Sequence, residues 1–172
     1  MNMATLASEA AAHLIEEETG AKLIAVSGNM CCDKKPSAIN IIEGRGKTVS
    51  AGVFLSDELV ASVFKTNSAT LAEVNTRKNL TGSARAASLG FNAQAANVIA
   101  AMFIACGQDP AHVVEGSNTI TTVDMAEGGV YVSVTLPSLQ VGTVGGGTSI
   151  ATQNANLTML GVAGGAKNPG DN

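Results

Sequence analysis

Apolar residues recur at helical spacing in several stretches of the chain. In residues 4–19, Leu6, Ala10 and Leu14 fall on one face, and Gly20 follows where a C-terminal cap is expected. The small-residue stretch 81–90 is compatible with a loop, although a tightly packed helix is preferred. The predicted helices cover residues 4–19, a segment that begins at Ser56, 68–79, 81–90, 93–106 and 150–160.

The helix predicted over residues 93–106 differs from the others because it is apolar nearly all round. Such a helix is buried rather than amphipathic. Asn92 stands where its side chain can cap the first turn. Asn97 lies inside the apolar run and therefore needs a hydrogen-bond partner. That partner is either the backbone of a neighbouring residue or a bound ligand.

Alternation of apolar and polar residues predicts the strands. Residues 119–125 and 130–136 alternate well and are joined by a Gly-containing turn at 126–129, a pattern typical of a β-hairpin. Further strands are predicted over 22–26 and 48–55. The chain thus combines helices with a small number of strands.

The composition describes a globular chain. Its 172 residues suffice for one domain, or one domain and a piece of another. Hydrophobic residues make up 45% and charged residues 14%, which excludes a disordered chain. A net charge of −4 and an aromatic content of 3% argue against a nucleic-acid partner.

The three cysteines fit neither a disulfide framework nor a metal site. Cys31 and Cys32 are adjacent, and Cys106 stands alone. We interpret them as reduced thiols of a cytosolic protein, with Cys106 as a small buried hydrophobe. No leader peptide is recognised, and no run reaches the ~20 apolar residues of a membrane span.

Residues 27–40 form a polar loop after the first predicted strand. Asp33, Lys34 and Lys35 place one carboxylate beside two ammoniums. Loops at strand ends often carry binding or catalytic groups. This cluster could hold an anionic ligand, and neighbouring ammoniums would lower the pKa of a lysine. A solvated charged turn explains the same composition equally well.

A glycine loop, Gly-Thr-Val-Gly-Gly-Gly-Thr, occupies residues 142–148 ahead of the last predicted helix. Its backbone N–H groups could approach a phosphate at the N-terminus of that helix. The spacing matches neither a Walker loop nor a Rossmann fingerprint. A plain tight turn between a strand and a helix would use the glycines in the same way.

Several short motifs follow one another along nearly the whole chain: Ser27-Gly28-Asn29, Asp33-Lys34-Lys35-Pro36, and residues 43–47, 78–80, 92–97, 105–109 and 142–148. In order and spacing they resemble 3-hydroxy-3-methylglutaryl-coenzyme A (HMG-CoA) reductases. The Gly-Gly-Gly-Thr sequence is similar to that of the class I, NADPH-using branch. Gln94 departs from the pattern, because many relatives carry histidine there.

The resemblance implies an α+β fold with two parts. Residues 1–26 would close a small ferredoxin-like cofactor subdomain, and residues 27–38 would form the substrate-binding loop. Residues 39–172 would belong to a large domain built around the central buried helix.

The resemblance also implies the roles of individual residues. Lys34 would be the catalytic lysine, and Asp109 would hydrogen-bond it and tune proton transfer. No metal is implied. The implied substrate contacts are Ser27, Asp33, Lys35, Lys78 and Asn97, and the implied NADPH contacts are Asn2, Val144, Gly145, Gly146 and Gly147.

The implied reaction is the four-electron reduction of HMG-CoA to mevalonate and coenzyme A by two NADPH. The family's upstream catalytic glutamate and downstream histidine have no counterpart here, and neither His13 nor His112 stands in a matching place. We therefore interpret the chain as an internal part of a catalytic domain. A homodimer with a shared active site is expected in the cytoplasm, with any membrane anchor outside these residues.

Two other classes of function remain open on the sequence. The chain could be a noncatalytic module that binds coenzyme A or a nucleotide and has lost the chemistry. It could also be an Ala/Gly-rich dimerisation domain, which is the less favoured interpretation.

Overall fold

The computed structural model describes residues 2–168, with the side chain of Asn2 excepted. The chain divides into two compact units between Cys31 and Cys32. The expected cofactor contact of Asn2 therefore lies outside the described side chains.

The first unit contains helix α1 (Asn2–Thr19), which confirms the helix predicted over residues 4–19. Gly20 ends it with φ +70°, and its N–H donates to the Glu16 carbonyl at 2.9 Å. The strand predicted over residues 22–26 is wrong. Instead of joining a ladder, this segment donates the Leu23 N–H to the Glu16 carboxylate. An extended segment without a pairing strand in its own unit forms no sheet.

A three-stranded antiparallel sheet organises the second unit. Its strands are β1 (Lys47–Ser56), β2 (Ile120–Ala126) and β3 (Gly129–Leu139), with β3 in the centre. The predicted hairpin is confirmed as β2 and β3, and its turn uses Gly128 at φ +75°. A glycine suits the positive φ that such a tight turn requires. Helices beside this sheet confirm the α+β fold.

Two helical segments follow the first strand. Ser56 caps the first of them, because its hydroxyl accepts the Leu59 N–H at 3.2 Å. The helix predicted over 68–79 is confirmed and continues to Arg85, where the small-residue stretch stops being helical. These segments comprise α3 (Asp57–Leu59) with a π-helix (Val60–Phe64), and α4 (Ser68–Val74) with a π-helix (Asn75–Gly82) and α5 (Ser83–Arg85).

Helix α6 (Ala95–Ala105) is the predicted apolar helix, and Asn92 caps it by accepting the Ala95 N–H at 3.2 Å. The expectation that it is buried all round is wrong for the described residues. Phe103 is buried, whereas Val98 is 54% exposed and Ile104 is 61% exposed. Hydropathy measures the transfer preference of the side chains, and it does not determine how many neighbours cover them.

The remaining helices are short, apart from the last one. They are α2 (Ile39–Ile42), a 3₁₀ turn (Pro110–His112), α7 (Val113–Gly116), a second 3₁₀ turn (Gly146–Ser149) and α8 (Ala151–Met159). The last of these confirms the helix predicted over 150–160. Among the residues that the structure describes, no helix combines the length and apolar character needed to cross a membrane.

Among the described residues, the buried apolar side chains that form the core of the second unit are Val60, Phe103, Cys106, Val130 and Leu157. Cys106 is thus the small buried hydrophobe that was expected, and all three cysteines are free thiols. A largely apolar cavity of 560 Å³ opens beside this core.

Candidate active site

Lys34 and Asp109 form the ion pair at the centre of the candidate site. The Lys34 Nζ lies 2.8 Å from Asp109 Oδ2. The two side chains are 46% and 42% exposed, so the pair is open to solvent and to a ligand. The structure therefore brings together the two residues expected to be catalytic.

The pair fixes the charges of both groups. The hydrogen bond and charge of Asp109 raise the pKa of Lys34 above its ordinary value. The hydrogen bond from Lys34, and then that from the Ala111 N–H, lower the pKa of Asp109. The expectation of a lowered lysine pKa in this loop is wrong for Lys34, because the carboxylate facing it favours the ammonium.

Asp109 is held at the start of a helical turn. Its Oδ1 accepts the Ala111 N–H at 3.0 Å, which caps the 3₁₀ turn Pro110–His112. Proline is favoured in the first position of such a turn because its missing N–H would have no helical partner. The cap fixes one carboxylate oxygen, and Oδ2 remains for Lys34.

The loop that carries Lys34 is held from beneath by a buried amide. The Asn40 Nδ2 donates to the carbonyls of Cys32 at 2.9 Å and Lys35 at 3.3 Å. Ser138, on β3, donates to the Asn40 carbonyl in turn. These contacts tie the loop to the central strand of the sheet.

Two charged neighbours complete the loop. Asp33 and Lys35 flank Lys34 in the chain and are both partly buried. The Arg45 guanidinium lies 3.7 Å from the Asp33 carboxylate. The loop thus presents charges of both signs, as its composition predicted.

The glycine loop packs against the segment that leads into Asp109. A Cβ added to Gly107 would lie 2.4 Å from the backbone of Gly147, so the two backbones meet at a distance that only glycine allows. The Gln108 amide exchanges two hydrogen bonds of 2.8 Å with the backbone of Gly142. The glycine loop and the segment that leads into Asp109 are therefore parts of one packed region.

The middle of the glycine loop is open. Gly145 and Gly146 have φ of +83° and +55°, and no heavy atom lies within 4 Å of a Cβ built on either residue. Val144 is 71% exposed. A ligand could approach the backbone here without displacing a side chain.

The other expected site residues are placed less tightly. Lys78 is exposed on the π-helix Asn75–Gly82, and Asn97 is exposed on α6. Solvent exposure removes the need for a protein partner that was inferred for Asn97. Ser27 belongs to the first unit, where its hydroxyl accepts the Asn29 N–H at 3.2 Å.

Sequence patterns did not indicate three residues that lie beneath the ion pair, namely Glu115, His112 and Gln140. Glu115 is 1% exposed and accepts the Lys34 backbone N–H at 3.1 Å. Its other oxygen lies 2.6 Å from His112 Nδ1 and accepts from the Gln140 amide. A carboxylate between valines and a glycine looks like a helix-surface residue in the sequence. The spacing of three from Asp109 to His112 to Glu115 is the signal that could have found it.

An exposed ammonium fixed by a carboxylate can bind an anionic ligand and stabilise negative charge on oxygen. No cluster of His, Cys, Asp or Glu able to hold a metal ion occurs among residues 2–168.

The model of the hydroxymethylglutaryl-coenzyme A reductase family matches residues 1–169, and the chain belongs to this family. It is 59% identical to the 3-hydroxy-3-methylglutaryl-coenzyme A reductase of Halobacterium salinarum over 172 residues, which are 100% of this chain and 42% of that protein. The enzyme of Haloferax volcanii is 58% identical over 100% of this chain and 43% of its own length. That of Methanothermobacter thermautotrophicus is 52% identical over 97% of this chain and 42% of its own length. The chain thus spans less than half the length of these relatives.

Proposed function

We propose that this chain is the part of an HMG-CoA reductase that carries the catalytic lysine and its carboxylate partner. The enzyme would reduce HMG-CoA to mevalonate and coenzyme A in the pathway to isoprenoids, with two NADPH. The observation that carries the proposal is the 2.8 Å pair of Lys34 and Asp109 in a member of this family.

Lys34 would act on the thioester carbonyl oxygen. An ammonium placed beside this oxygen stabilises the negative charge that develops there during reduction. Asp109 favours the protonated amine, because it raises the pKa of Lys34. The proton on Nζ is then available for the oxyanion, and the carboxylate holds the side chain in position.

The charges around Lys34 suit the acyl part of the substrate. Lys35 and Lys78 would bind its carboxylate, and Asp33 would accept a hydrogen bond from its hydroxyl. Ser27 and Asn97 would add neutral hydrogen bonds. The exposure of Lys78 and Asn97 supports such roles, since both side chains are open to a ligand.

The glycine loop fits a nicotinamide cofactor. No heavy atom lies within 4 Å of a Cβ built on Gly145 or Gly146, so a phosphate group would be able to approach the backbone there, and the N-terminus of α8 follows a few residues later. Residues 144–147 would bind NADPH, together with Asn2. When bound, the cofactor would supply the hydride, and the protein would supply orientation and charge.

The proposed enzyme includes parts outside this chain. A glutamate and a histidine elsewhere in the protein would complete the proton transfers, and two subunits would share each active site. The class I branch, a homodimer or larger assembly, and a cytoplasmic catalytic domain belong to the same proposal.

The test is NADPH oxidation in the presence of HMG-CoA, followed by absorbance, in the complete protein that contains this sequence. We expect Lys34→Ala to lower turnover by about 10²–10³-fold, which is the usual effect of removing one oxyanion-stabilising donor. Lys65→Ala is the matched control, because Lys65 is also exposed and also has a positive φ, +57°. It should leave turnover unchanged.

Two results would contradict the proposal. If Lys34→Ala folds and keeps its turnover, Lys34 is not catalytic. If the wild-type protein binds coenzyme A in a calorimeter but oxidises no NADPH with HMG-CoA, the chain belongs to a noncatalytic binding module instead.

A further inference from the structure

A closed ring of contacts lies behind the candidate catalytic pair. The Lys34 Nζ is 2.8 Å from Asp109 Oδ2, which is 3.6 Å from His112 Nε2. The His112 Nδ1 is 2.6 Å from Glu115 Oε1, and Glu115 Oε2 accepts the Lys34 backbone N–H at 3.1 Å. The ring begins at the side chain of Lys34 and returns to its backbone.

We propose that Glu115 is a positioning residue for this site. It holds the backbone of Lys34 directly, and it orients the His112 ring that borders Asp109. Glu115 does not reach the solvent-facing side of the pair, so it acts through these residues rather than on a substrate. The inference rests on the proposed function of Lys34.

Burial makes the contacts of Glu115 specific. Its side chain is 0% exposed, whereas Lys34 and Asp109 are both close to half exposed. A buried carboxylate is tolerated only when it is well hydrogen-bonded. Glu115 accepts hydrogen bonds from the Lys34 N–H and the Gln140 amide, and it has a third hydrogen-bond partner in His112 Nδ1. Removing any of these partners leaves part of the carboxylate unsatisfied, so the arrangement has few alternatives.

The backbone of Lys34 needs such support. Its φ is +59°, in the left-handed region that residues with a Cβ avoid. Lys65 has a similar φ, but it ends the helical segment Val60–Phe64, where a left-handed residue is common. Lys34 follows no helix, and the hydrogen bond to Glu115 restrains its backbone in this conformation.

Local geometry explains why Glu115 lies beside His112, and His112 beside Asp109. Asp109, His112 and Glu115 are spaced by three residues along the 3₁₀ turn Pro110–His112 and helix α7. Residues at this spacing share one face of a helical segment. The His112 Nδ1 lies within hydrogen-bond distance of Glu115, 2.6 Å from Oε1. The Nε2 edge then lies against Asp109, at a distance longer than a hydrogen bond, and limits its movement by packing.

The test uses steady-state kinetics of the complete protein with Glu115→Ala and Glu115→Gln. We expect Glu115→Ala to lower kcat by about 10²-fold, the effect of a small misplacement of a catalytic group. The KM for NADPH should stay within about twofold, because the hydrogen-bond partners of Glu115 are Lys34, His112 and Gln140 and none of these is a proposed cofactor contact. Glu115→Gln keeps an acceptor for the Lys34 N–H and should recover a large part of kcat. Glu127→Ala, in the exposed hairpin turn, is the control and should match wild type.

A direct readout separates positioning from general stability. Hydrogen exchange by mass spectrometry should show faster exchange in the peptide that contains Lys34 for Glu115→Ala than for Glu115→Gln. If Glu115→Ala does not fold, the kcat and exchange of Glu115→Gln, measured against Glu127→Ala, decide the question.

Three outcomes overturn the inference. In the first, folded Glu115→Ala and Glu115→Gln have wild-type kcat while Lys34→Ala is inactive, so the proposed function stands and positioning fails. In the second, kcat and NADPH affinity fall together in Glu115→Ala and Glu115→Gln restores neither, which indicates a purely structural role. In the third, Lys34→Ala is itself active, so the proposed function fails first.

Discussion

Residues 32–36 and residues 142–148 are both loops with proposed ligand contacts, yet different kinds of contact hold them. The first loop is fixed by side chains that are distant in the sequence. Asn40 donates to two of its carbonyls, and Glu115 accepts the Lys34 N–H. The second loop has the Gln108 amide at its first residue, Gly142. Its later part is fixed by close backbone contact between Gly147 and Gly107 and by its own hydroxyls, such as Thr148 Oγ1, which donates to the Gly145 carbonyl at 2.6 Å.

The difference predicts which kind of substitution disrupts the structure of each loop. A loop held by buried polar side chains responds to the loss of one hydrogen bond or one charge, because few other contacts replace it. A loop held by close backbone contact responds to added volume. Substitutions can therefore be chosen that affect one loop and spare the other.

The largest effect is expected for Gly107→Ala. Its Cβ would lie 2.4 Å from Gly147, and Gly107 has φ +67°. Steric overlap and left-handed strain together should destabilise the protein by about 3 kcal/mol or more. The measurement is the free energy of unfolding of the complete protein in urea.

Gly145→Ala is the matched control for Gly107→Ala. It has a similar positive φ, +83°, but its added Cβ meets no atom within 4 Å. Only the strain remains, about 1–2 kcal/mol. Equal destabilisation by the two variants would show that close packing does not hold the glycine loop.

Asn40→Ala should have the next largest effect, and it acts on the other loop. Asn40 is 1% exposed, and its amide holds the carbonyls of Cys32 and Lys35. Leaving these groups without a donor should lower the free energy of unfolding by about 1–3 kcal/mol. Asn97→Ala, at an exposed position, should change it by less than about 0.5 kcal/mol. A loss as small for Asn40→Ala would contradict the role of its amide.

Elements that depend on the local pattern of residues could be predicted from the sequence. The β2–β3 hairpin and the helix caps at Ser56 and Asn92 follow from alternation and from residue types that suit those places. The strand over residues 22–26 failed, because β-pairing depends on a partner that local pattern does not supply. The prediction that α6 is buried on all sides was wrong for a similar reason, since burial depends on which elements pack around a helix.

The candidate site also contains residues that could be predicted from the sequence and residues that could not. The pairing of Lys34 with Asp109 was expected only from resemblance to a family, because no periodicity connects two such distant positions. Glu115 was not predicted as a site residue, because its contact with the site is made through the backbone N–H of Lys34. Every residue other than proline has such a group, so the sequence does not single out this contact. Contacts between side chains and distant backbone are the part of a site that sequence patterns describe least.

Gln108→Ala tests the link between the two regions with a moderate expected effect. The Gln108 amide both donates to and accepts from the backbone of Gly142. Losing this partly exposed pair should destabilise the protein by about 1 kcal/mol. Urea unfolding measures it, with Gln94→Ala as the control, because Gln94 is exposed and its side chain makes no capping hydrogen bond to α6. Indistinguishable variants would mean that glycine packing alone joins the loop to the Asp109 segment.

The smallest effect on stability is expected from Asp109→Asn, although its pH dependence is informative. The pKa of Asp109 is lowered and that of Lys34 is raised. The pair therefore stabilises the folded protein fully above the unfolded-state pKa of Asp109 and below that of Lys34. This stabilisation disappears as pH falls through the folded-state pKa of Asp109, or rises through that of Lys34. Because both side chains are more than one third exposed, solvent screens the pair and the contribution is small.

Asp109→Asn should remove this pH dependence at both ends, which urea midpoints measured from acid to alkaline pH would show. It should also lower the pKa of Lys34, because the largest cause of its increase is gone. If Lys34 acts as an ammonium, the alkaline limb of turnover measured on the remaining activity moves to lower pH. An alkaline limb at the wild-type position would show that turnover does not depend on the charge of Lys34. Only the geometric role of the Asp109 carboxylate would then remain.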